Sequence, residues 1–488
     1  MRLAKNILFV SVLSVLMINL TGCKFGPNFT RPNPNTNAHY LHDSLQTDSV
    51  VNVSWWEMFN DPTLDTLIKT ALDSNKDVLK AAARIEEYRA IVGFKKGETL
   101  PAFGYQGNAG YGNYGGFLSP NAAGSGFGGL TMGWEIDFWG KFRRATEGAK
   151  ADLVASEYNR RTIQISLISD VSTSYYTILD YQWRHKISEN TIALRKENVD
   201  IIRQKFDAGL VPEIDLNNAE LQYAIALSAE PQFERLIAFE ETKMSVLLGM
   251  NPRAIIVGDS LERQSLPPEI PAGLPSSLLL RRPDIGFSEA KYHAQMAQIG
   301  VAQAQRFPAI GLTGLLGGAS GQLLGVTTTG LAWNTSASLA GPIFQFGKNK
   351  RRVEIEKART EQAKRDYEKT VLTAFKEVED ALISVSTYKK ELSARELQTR
   401  SALNARMLSQ LRYDKGVTSY LEVITLQGYA FDAELSLAGT RRSLFESYIK
   451  LYKSLGGGWI SEKEKKTAES NNQAPNDLPG MSPNDRNK

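Results

Sequence analysis

Four histidines, one cysteine and scattered hydroxyl and acidic side chains are the residues of this 488-residue chain that could carry chemistry. None of the histidines stands in an HExxH sequence or in a paired metal-binding spacing: His39, His42, His185 and His293. No Walker phosphate loop is present, and the Gly-rich runs 112–129 and 311–330 lie in strand and loop contexts. The net charge of +4 is small, and no basic stripe indicates a nucleic-acid partner. The sequence therefore predicts no enzyme, no cofactor and no metal.

Cys23 is the only cysteine, so an internal disulfide and a multi-cysteine metal site are both excluded. It follows Leu20-Thr21-Gly22 and an apolar run that is too short for a comfortable membrane span. This arrangement predicts a signal peptide, residues 1–22, and a bacterial lipoprotein box in which Cys23 becomes the lipidated first residue. A chance cysteine beside an ordinary signal peptide is the alternative. Lys24, where an aspartate tends to retain lipoproteins at the inner membrane, favours the outer membrane.

The sequence repeats itself at a constant offset of 207 positions. Pro101-Ala102-Phe103-Gly104 falls on Pro308-Ala309-Ile310-Gly311, and Leu248-Gly249 falls on Leu455-Gly456. We therefore expect two structurally equivalent halves, residues 62–250 and 276–457. Outside them lie an N-terminal segment (23–61), a Pro-rich linker (251–275) and a polar tail (458–488) whose composition predicts disorder.

Long proline-free stretches predict long helices in both halves. One arm is expected from about Lys141 to Asp207, a returning arm over about 213–248, and separate helices at about 63–98 and 284–305. Pro231 predicts a local kink in the first returning arm only. A coiled-coil seam is predicted from apolar residues at spacings of three, four and seven: Val371, Phe375, Val378, Leu382, Val385 and Leu392. A cytoskeletal or signalling coiled coil is the alternative, which the signal peptide disfavours.

Alternating apolar and small or polar residues predict two strands in each half. The apolar series are Phe103, Tyr105, Ala109, Tyr111; Leu130, Met132, Trp134, Ile136, Phe138; Ile310, Leu312, Leu316; and Leu331, Trp333, Ala337, Leu339. Each run has about the ten residues of a membrane-spanning strand, although solvent-exposed hairpins are the alternative. A bilayer excludes open sheet edges, and four strands cannot close a barrel. Two chains would give a filled eight-stranded barrel, whereas three would give twelve strands and room for a lumen.

Several motifs together resemble those of TolC-type outer-membrane factors, in the lipoprotein branch that works with resistance-nodulation-division pumps. They are Gly22-Cys23 with Gly26-Pro27-Asn28-Phe29 and Arg31-Pro32; Trp55-Trp56 with Phe59 and Asp61-Pro62; Leu278 to Ile285; and Leu451-Tyr452-Lys453 with Leu455 to Trp459. This resemblance covers nearly the whole chain except the tail.

The resemblance implies a mainly α chain with a membrane β-barrel, in which three copies complete a twelve-stranded barrel and an α-barrel of helical hairpins. It implies an equatorial belt made by the N-terminal segment and the linker. It also implies that the hairpin turns form a periplasmic tip, closed at rest. The expected partners are a periplasmic adaptor (membrane fusion) protein, an inner-membrane resistance-nodulation-division transporter and outer-membrane lipid.

The resemblance also places the gate and the docking surface at the hairpin turns. Its acidic gate positions fall on Asp215 and Glu422, while Asp207 and Asp414 lie just before the helix breaks. Three symmetry-related copies of each acid would form a carboxylate ring, which favours cations; ordinary solvated helix-end acids are the alternative. Adaptor docking is expected at the turn residues Gly209, Leu210, Val211, Gly416, Val417 and Thr418.

Three functions compete for this architecture. The leading hypothesis is the exit duct of a tripartite efflux pump. A channel for type I protein secretion would share the architecture, and a structural envelope lipoprotein would explain the helices but not the amphipathic strands.

Overall fold

The computed structural model describes residues 24–32, 40–41, 55–112, 122–268, 281–323 and 326–457. The predicted signal peptide, Cys23, residues 269–275 of the predicted linker and the predicted tail from residue 458 lie outside these ranges.

Helices make up most of the described chain. In order they are α1 (Pro62–Ser74), α2 (Lys76–Gly97), α3 (Lys141–Asp207), α4 (Glu213–Leu247), α5 (Pro283–Ala304), α6 (Lys348–Asp414) and α7 (Tyr420–Ser454). The strands are β1 (Ala102–Gly112), β2 (Ala123–Ile136), β3 (Ala309–Leu323) and β4 (Val326–Ala340). None of the described helices has both the length and the apolar character that a bilayer crossing requires.

The duplication is visible in the helix bounds. Lys141 and Asp207 of α3 become Lys348 and Asp414 of α6, 207 positions later, and both helices have 67 residues. Both returning helices, α4 and α7, have 35 residues. Glycines with positive φ recur at the same offset: Gly140 with Gly347, Gly209 with Gly416, and Gly249 with Gly456. The predicted internal duplication and the predicted long arms are confirmed.

The helix predicted at about 63–98 is in fact two helices, because Asn75 separates α1 from α2. The Asn75 side-chain oxygen accepts hydrogen bonds from the amides of Asp77 (2.9 Å) and Val78 (3.2 Å). Such a bond offers the backbone an alternative to the continuing helix, so Asn75 ends one helix and caps the next. The sequence did not predict this break, because the hydrophobic periodicity continues across Asn75.

The chain divides into two compact units, and the first contains the sheet. The four strands form one antiparallel sheet in the order β1-β2-β3-β4. Tyr105, Leu130, Leu316 and Trp333 stand opposite one another in a single row across it. Their exposed fractions are 90%, 65%, 53% and 71%. The sheet therefore presents a large apolar surface, and among the described strands β1 and β4 each pair on one side only.

The second unit contains the ends of the helical hairpins and the buried seam of α6. Val371, Ala374, Val378, Ala381 and Val385 are buried, at alternating spacings of three and four residues. The sequence had placed Phe375 and Leu382 in this seam, but both are only half-buried. Two alanines take the inner positions, so the coiled-coil period is confirmed and two of its members are corrected.

Asp61 and the aromatic residues beside it form the buried centre of this second unit. Asp61 caps α1 by accepting from the amides of Thr63 (2.9 Å) and Leu64 (3.3 Å). Its other carboxylate oxygen accepts from Tyr175 and from the side-chain amide of Gln264. Asp61, one of the residues that carried the resemblance, thus fixes where α1 begins.

Candidate functional site at the hairpin ends

The first hairpin turn joins α3 to α4. Gly209 has a φ of +71°, which an L side chain adopts only at a cost. The amide of Gly209 donates to the carbonyl of Phe206 (2.8 Å), and the amide of Leu210 donates to that of Lys205 (2.9 Å). This pair of bonds is the Schellman arrangement, which satisfies the last carbonyls of a helix. Pro212 then occupies the position before α4.

The second turn, between α6 and α7, has the same geometry. Gly416 has a φ of +69°. Its amide donates to Tyr413 (2.9 Å), and the amide of Val417 donates to Arg412 (2.9 Å). A Cβ placed on Gly209 or Gly416 would meet nothing within 4 Å, so both turns are open on their outer side.

The predicted docking residues divide into two groups. Leu210 and Val417 are exposed, with exposed fractions of 74% and 65%, and the two glycines are exposed beside them. Val211 and Thr418 are half-buried, and Val211 packs against the apolar cluster below the turns. That cluster contains residues of both hairpins: Val199, Ile202, Ala219, Tyr420, Val423 and Ile424. The two ends are therefore packed as one apolar body with small, exposed turns.

The four predicted gate acids have different surroundings. Glu422 is half-buried and accepts from Arg412 Nη1 (3.1 Å) and from the hydroxyl of Thr418. Asp414 is exposed and accepts from Gln410 (2.9 Å). Asp207 is exposed.

Asp215 is half-buried, and its negative charge acts on two tyrosines, Tyr413 and Tyr420. Burial, Tyr413 and the carboxylate of Asp215 together raise the pKa of Tyr420 to about 12, against a weaker opposing effect of Arg195. Lys205 holds the place in the first half that Arg412 holds in the second. Its ammonium lies 4.5 Å from the centre of the Tyr413 ring. The described structure thus gives Glu422 a cationic partner and shows none for Asp215.

A second arrangement, in the other unit, fixes the segment that follows Cys23. The guanidinium of Arg144 donates to the carbonyls of Phe25 (2.8 Å) and Gly26 (2.8 Å) and to the side chain of Asn28 (2.9 Å). Arg144 is 1% exposed. The sequence did not predict this role, because a cluster of basic residues at the start of a helix does not show which arginine will be buried.

Glu147 completes this arrangement. It pairs with Arg144 (2.8 Å), Lys24 (2.8 Å) and His293 (3.2 Å). Burial alone would raise the pKa of Glu147, but hydrogen bonds from His293 and Lys24 and the charge of Arg144 outweigh it. The pKa falls to about 2. We refer to Arg144 and Glu147 with their N-terminal partners as the anchor clamp.

Comparison with known proteins decides what these sites belong to. The description "Outer membrane efflux protein" fits residues 67–250 and 274–457, two segments whose first residues are 207 positions apart. The chain belongs to the outer membrane efflux protein family. It is 31% identical over 484 residues to the probable efflux pump outer membrane protein TtgC of Pseudomonas putida, covering 96% of this chain and 98% of TtgC.

Two further proteins agree with this assignment. The solvent efflux pump outer membrane protein SrpC of Pseudomonas putida is 31% identical over 463 residues, covering 92% of this chain and 98% of SrpC. The solved structure of the outer-membrane channel OprN superimposes with a TM-score of 0.83 at 28% identity, covering 90% of this chain and all of OprN.

This outer membrane efflux protein is therefore one subunit of a trimeric channel that combines a helical barrel with a β-barrel. It is the outer-membrane exit duct of a tripartite efflux pump, and it extends into the periplasm. An adaptor and an inner-membrane transporter are its partners. The predicted fold class, function, partners and location are confirmed. The family consists of channel proteins.

Proposed function

We propose that the duct conducts small molecules passively and is gated at the hairpin ends, where Asp215 supplies the negative charge of the constriction. The observation that carries this proposal is the unequal pairing of the two equivalent acids. Glu422 is neutralised within its own hairpin by Arg412, whereas Asp215 has no cationic partner among the described side chains. The sequence had treated the two acids alike.

Charge at a threefold axis acts through three copies. Coulomb's law gives roughly 0.7 kcal/mol for each carboxylate about 6 Å from a cation in water, or about 2 kcal/mol for a ring of three. A ring of Asp215 would therefore favour cations over anions by more than about tenfold before salt screening. A ring of Glu422–Arg412 pairs carries no net charge, so its effect on selectivity is small.

The exposed turns are the proposed docking surface for the adaptor. Gly209 and Gly416 carry no side chain, and Leu210 and Val417 each present an apolar side chain to solvent. Small residues allow a partner helix to approach closely, and exposed apolar residues gain by being covered. Val211 and Thr418 act from beneath, since Val211 packs on the apolar cluster and Thr418 bonds to Glu422.

Cys23 is the proposed lipid attachment site. The anchor clamp holds Phe25 and Gly26 by their backbone carbonyls, two and three residues after Cys23. Such bonds do not depend on side-chain identity, and they fix the chain close to where an acyl group would enter the membrane. Mass spectrometry of the mature protein tests this, since replacing Cys23 by serine should abolish the acyl mass.

Catalysis forms no part of the proposed function. A duct needs a wall, a gate and docking surfaces, and the arrangements described above serve those three purposes. The transported compounds would be selected by the inner-membrane transporter.

Single-channel recording of the purified trimer in planar bilayers tests the gate. We expect Asp215→Ala combined with Glu422→Ala to raise the closed-state conductance, with most of the change already present in Asp215→Ala alone. The reversal potential in a salt gradient should show reduced cation preference in Asp215→Ala.

Glu220→Gln is the matched control, because Glu220 lies on the same helix and already pairs with Arg203. Unchanged conductance and selectivity in Asp215→Ala, or equal changes in the control, would contradict the assignment of the gate.

A further inference from the structure

The first hairpin brings together three side chains whose types suit a metal ion. His185 lies on α3, and Glu230 and Glu234 lie on α4. One ligand atom from each of the three residues lies within 4.8 Å of the others. Glu230 and Glu234 are four residues apart on a helix, so they share a face, and like charges at that spacing destabilise an isolated helix. A cation between them would remove that repulsion.

The two ring nitrogens of His185 face different carboxylates. Nε2 lies 3.9 Å from Glu234, and Nδ1 lies 4.0 Å from Glu189 one turn further along α3. Nε2 is buried and has no hydrogen-bond partner among the described residues. Glu189 is held by Lys186 at 3.1 Å. A carboxylate behind Nδ1 is the usual orienting partner of a metal-binding histidine, because it keeps the proton on Nδ1 and leaves Nε2 free to bind.

This ligand set selects a class of ion. One imidazole nitrogen and two carboxylate oxygens suit divalent transition metals such as Zn²⁺, which bind such atoms at about 2.0–2.2 Å and leave a position for water. Ligand atoms around a tetrahedral ion lie about 3.3 Å apart, so the glutamates need to move inward by roughly 1 Å. Both are long enough to do so, and Glu234 is exposed.

The second half of the chain serves as an internal control, because the same positions there carry no such ligands. At an offset of 207, His185 corresponds to Leu392, Glu230 to Leu437 and Glu234 to Arg441. Leu392 is buried, and Arg441 donates to the carbonyls of Leu261 (2.8 Å) and Gln264 (2.9 Å). A hairpin of this length therefore forms without the cluster, so packing alone does not require it.

Pro231 lies between the two glutamates, where Ala438 stands in the second half. Proline has no backbone N–H, so α4 loses one hydrogen bond at this point. An ion held between α3 and α4 would join the two helices where one of them is locally weakened.

We propose that His185, Glu230 and Glu234 bind a divalent transition-metal ion, with Glu189 as the positioning residue behind His185. The ion cross-links α3 to α4 and stabilises the first hairpin. This proposal is independent of the proposed gate, because none of the gate acids is among these four residues.

Metal titration of the full-length trimer, purified without a polyhistidine tag and treated with EDTA, tests the proposal. Co²⁺ should give a visible d–d absorption band that Zn²⁺ removes. His185→Leu combined with Glu230→Leu installs the residues of the second half. This double variant should bind one ion fewer per chain than the wild type, or bind it at least about 100-fold more weakly. Glu189→Gln should weaken binding by about 10–100-fold.

Three controls make the result decisive. Glu220→Gln removes a paired acid from the same helix and should leave binding unchanged. Trimer mass and conductance show whether the double variant folds, and the conservative His185→Gln with Glu234→Gln offers a second test. Other histidines, such as His39 and His42, contribute equally to all variants. The proposal is overturned if the wild type gives no Co²⁺ band, or if both double variants keep the wild-type stoichiometry and affinity.

Discussion

Asn75 and Arg282 occupy equivalent positions in the two halves, and each donates a hydrogen bond to the end of the returning helix of its own half. We call this hydrogen bond the closure of the half. Asn75 Nδ2 donates to the carbonyl of Leu247 (2.9 Å), and Arg282 Nη1 donates to that of Ser454 (3.1 Å). The acceptors are the last residues of α4 and α7. Asn75 does this as a neutral amide. Arg282 also pairs with Asp284 (2.6 Å) and Glu377 (2.7 Å).

This comparison shows that the duplication preserves backbone geometry while the side-chain chemistry diverges. The same holds at the hairpin ends, where the turns are alike but Lys205 lies on a tyrosine and Arg412 binds a carboxylate. It holds again at the start of α3 and α6, where the equivalent pairs Arg144–Glu147 and Arg351–Glu354 differ in exposure. We therefore expect the two halves to differ in function and stability at the positions where their charges differ. Each such difference can be tested by making the equivalent substitution in both halves.

The largest expected effect is on stability at the two closures. Arg282→Ala should cost about 3 kcal/mol, because Arg282 is 9% exposed and its removal takes charge-assisted hydrogen bonds from Asp284 and Glu377 and a bond from the carbonyl of Ser454. Asn75→Ala should cost about 1–2 kcal/mol, the loss of a helix cap and one hydrogen bond. Thermal unfolding of the two variants measures this order. Equal losses, or a larger loss in Asn75→Ala, would mean that the extra charges do not stabilise the second closure.

A smaller effect on stability is expected at the two equivalent arginine–glutamate pairs near the start of α3 and α6. In the anchor clamp the side chains of Arg144 and Glu147 are 1% and 19% exposed, whereas those of Arg351 and Glu354, at the same offset, are 76% and 42% exposed. The hydrogen bond from Arg351 lowers the pKa of Glu354, but solvent and salt screen an exposed pair. We expect Glu147→Gln to cost up to roughly 3 kcal/mol at pH 7, at about 1.4 kcal/mol per pKa unit, and Glu354→Gln to cost little.

The pH dependence of that loss follows from the direction of the shift. The folded-state pKa of Glu147 lies below its ordinary value of 4.5, so its contribution is complete above that pH and disappears as the pH falls toward about 2. The difference in unfolding midpoint between wild type and Glu147→Gln should therefore shrink over this interval. A difference that stays constant down to pH 2 would rule out the ionised carboxylate as its source.

The smallest expected effect is on ion selectivity, and here its size differs between the halves. Arg412→Ala releases the charge of Glu422 and should increase cation preference, measured as a shift in reversal potential of the trimer in a salt gradient. Lys205→Ala removes a cation that lies on an aromatic ring, so it should shift the potential less. Combining Arg412→Ala with Glu422→Gln should return the potential to the wild-type value; failure to do so would show that Arg412 acts through some other group.

Much of the fold could be predicted from the sequence because it depends on period and offset. The bounds of α3 and α6, the four strands and the doubling of the chain follow from proline positions, alternation and self-similarity. The break at Asn75 was missed because one capping side chain interrupts no hydrophobic pattern. Ala374 and Ala381 were missed in the seam because alanine looks neutral in a hydrophobic series.

The candidate sites were less accessible to sequence reasoning. Asp215 and Glu422 look equivalent until their neighbours are known, since Arg412 is ten residues from Glu422 and reaches it only across the turn. Arg144 is 119 residues from Phe25 along the chain, and His185 is 45 or more residues from Glu230 and Glu234. Contacts of this kind depend on how the helices fold back, which no local pattern records.

The equal length of the two longest helices limits how this chain can change over time. Deleting one residue from either would turn every later side chain on it by about 100° and shift it by about 1.5 Å. The seam and the turn beyond the deletion would then lose their alignment with those of the sister helix. Insertions and deletions should therefore survive only as near-whole heptads made in both copies at once, so that the gene must lengthen or shorten in matched pairs.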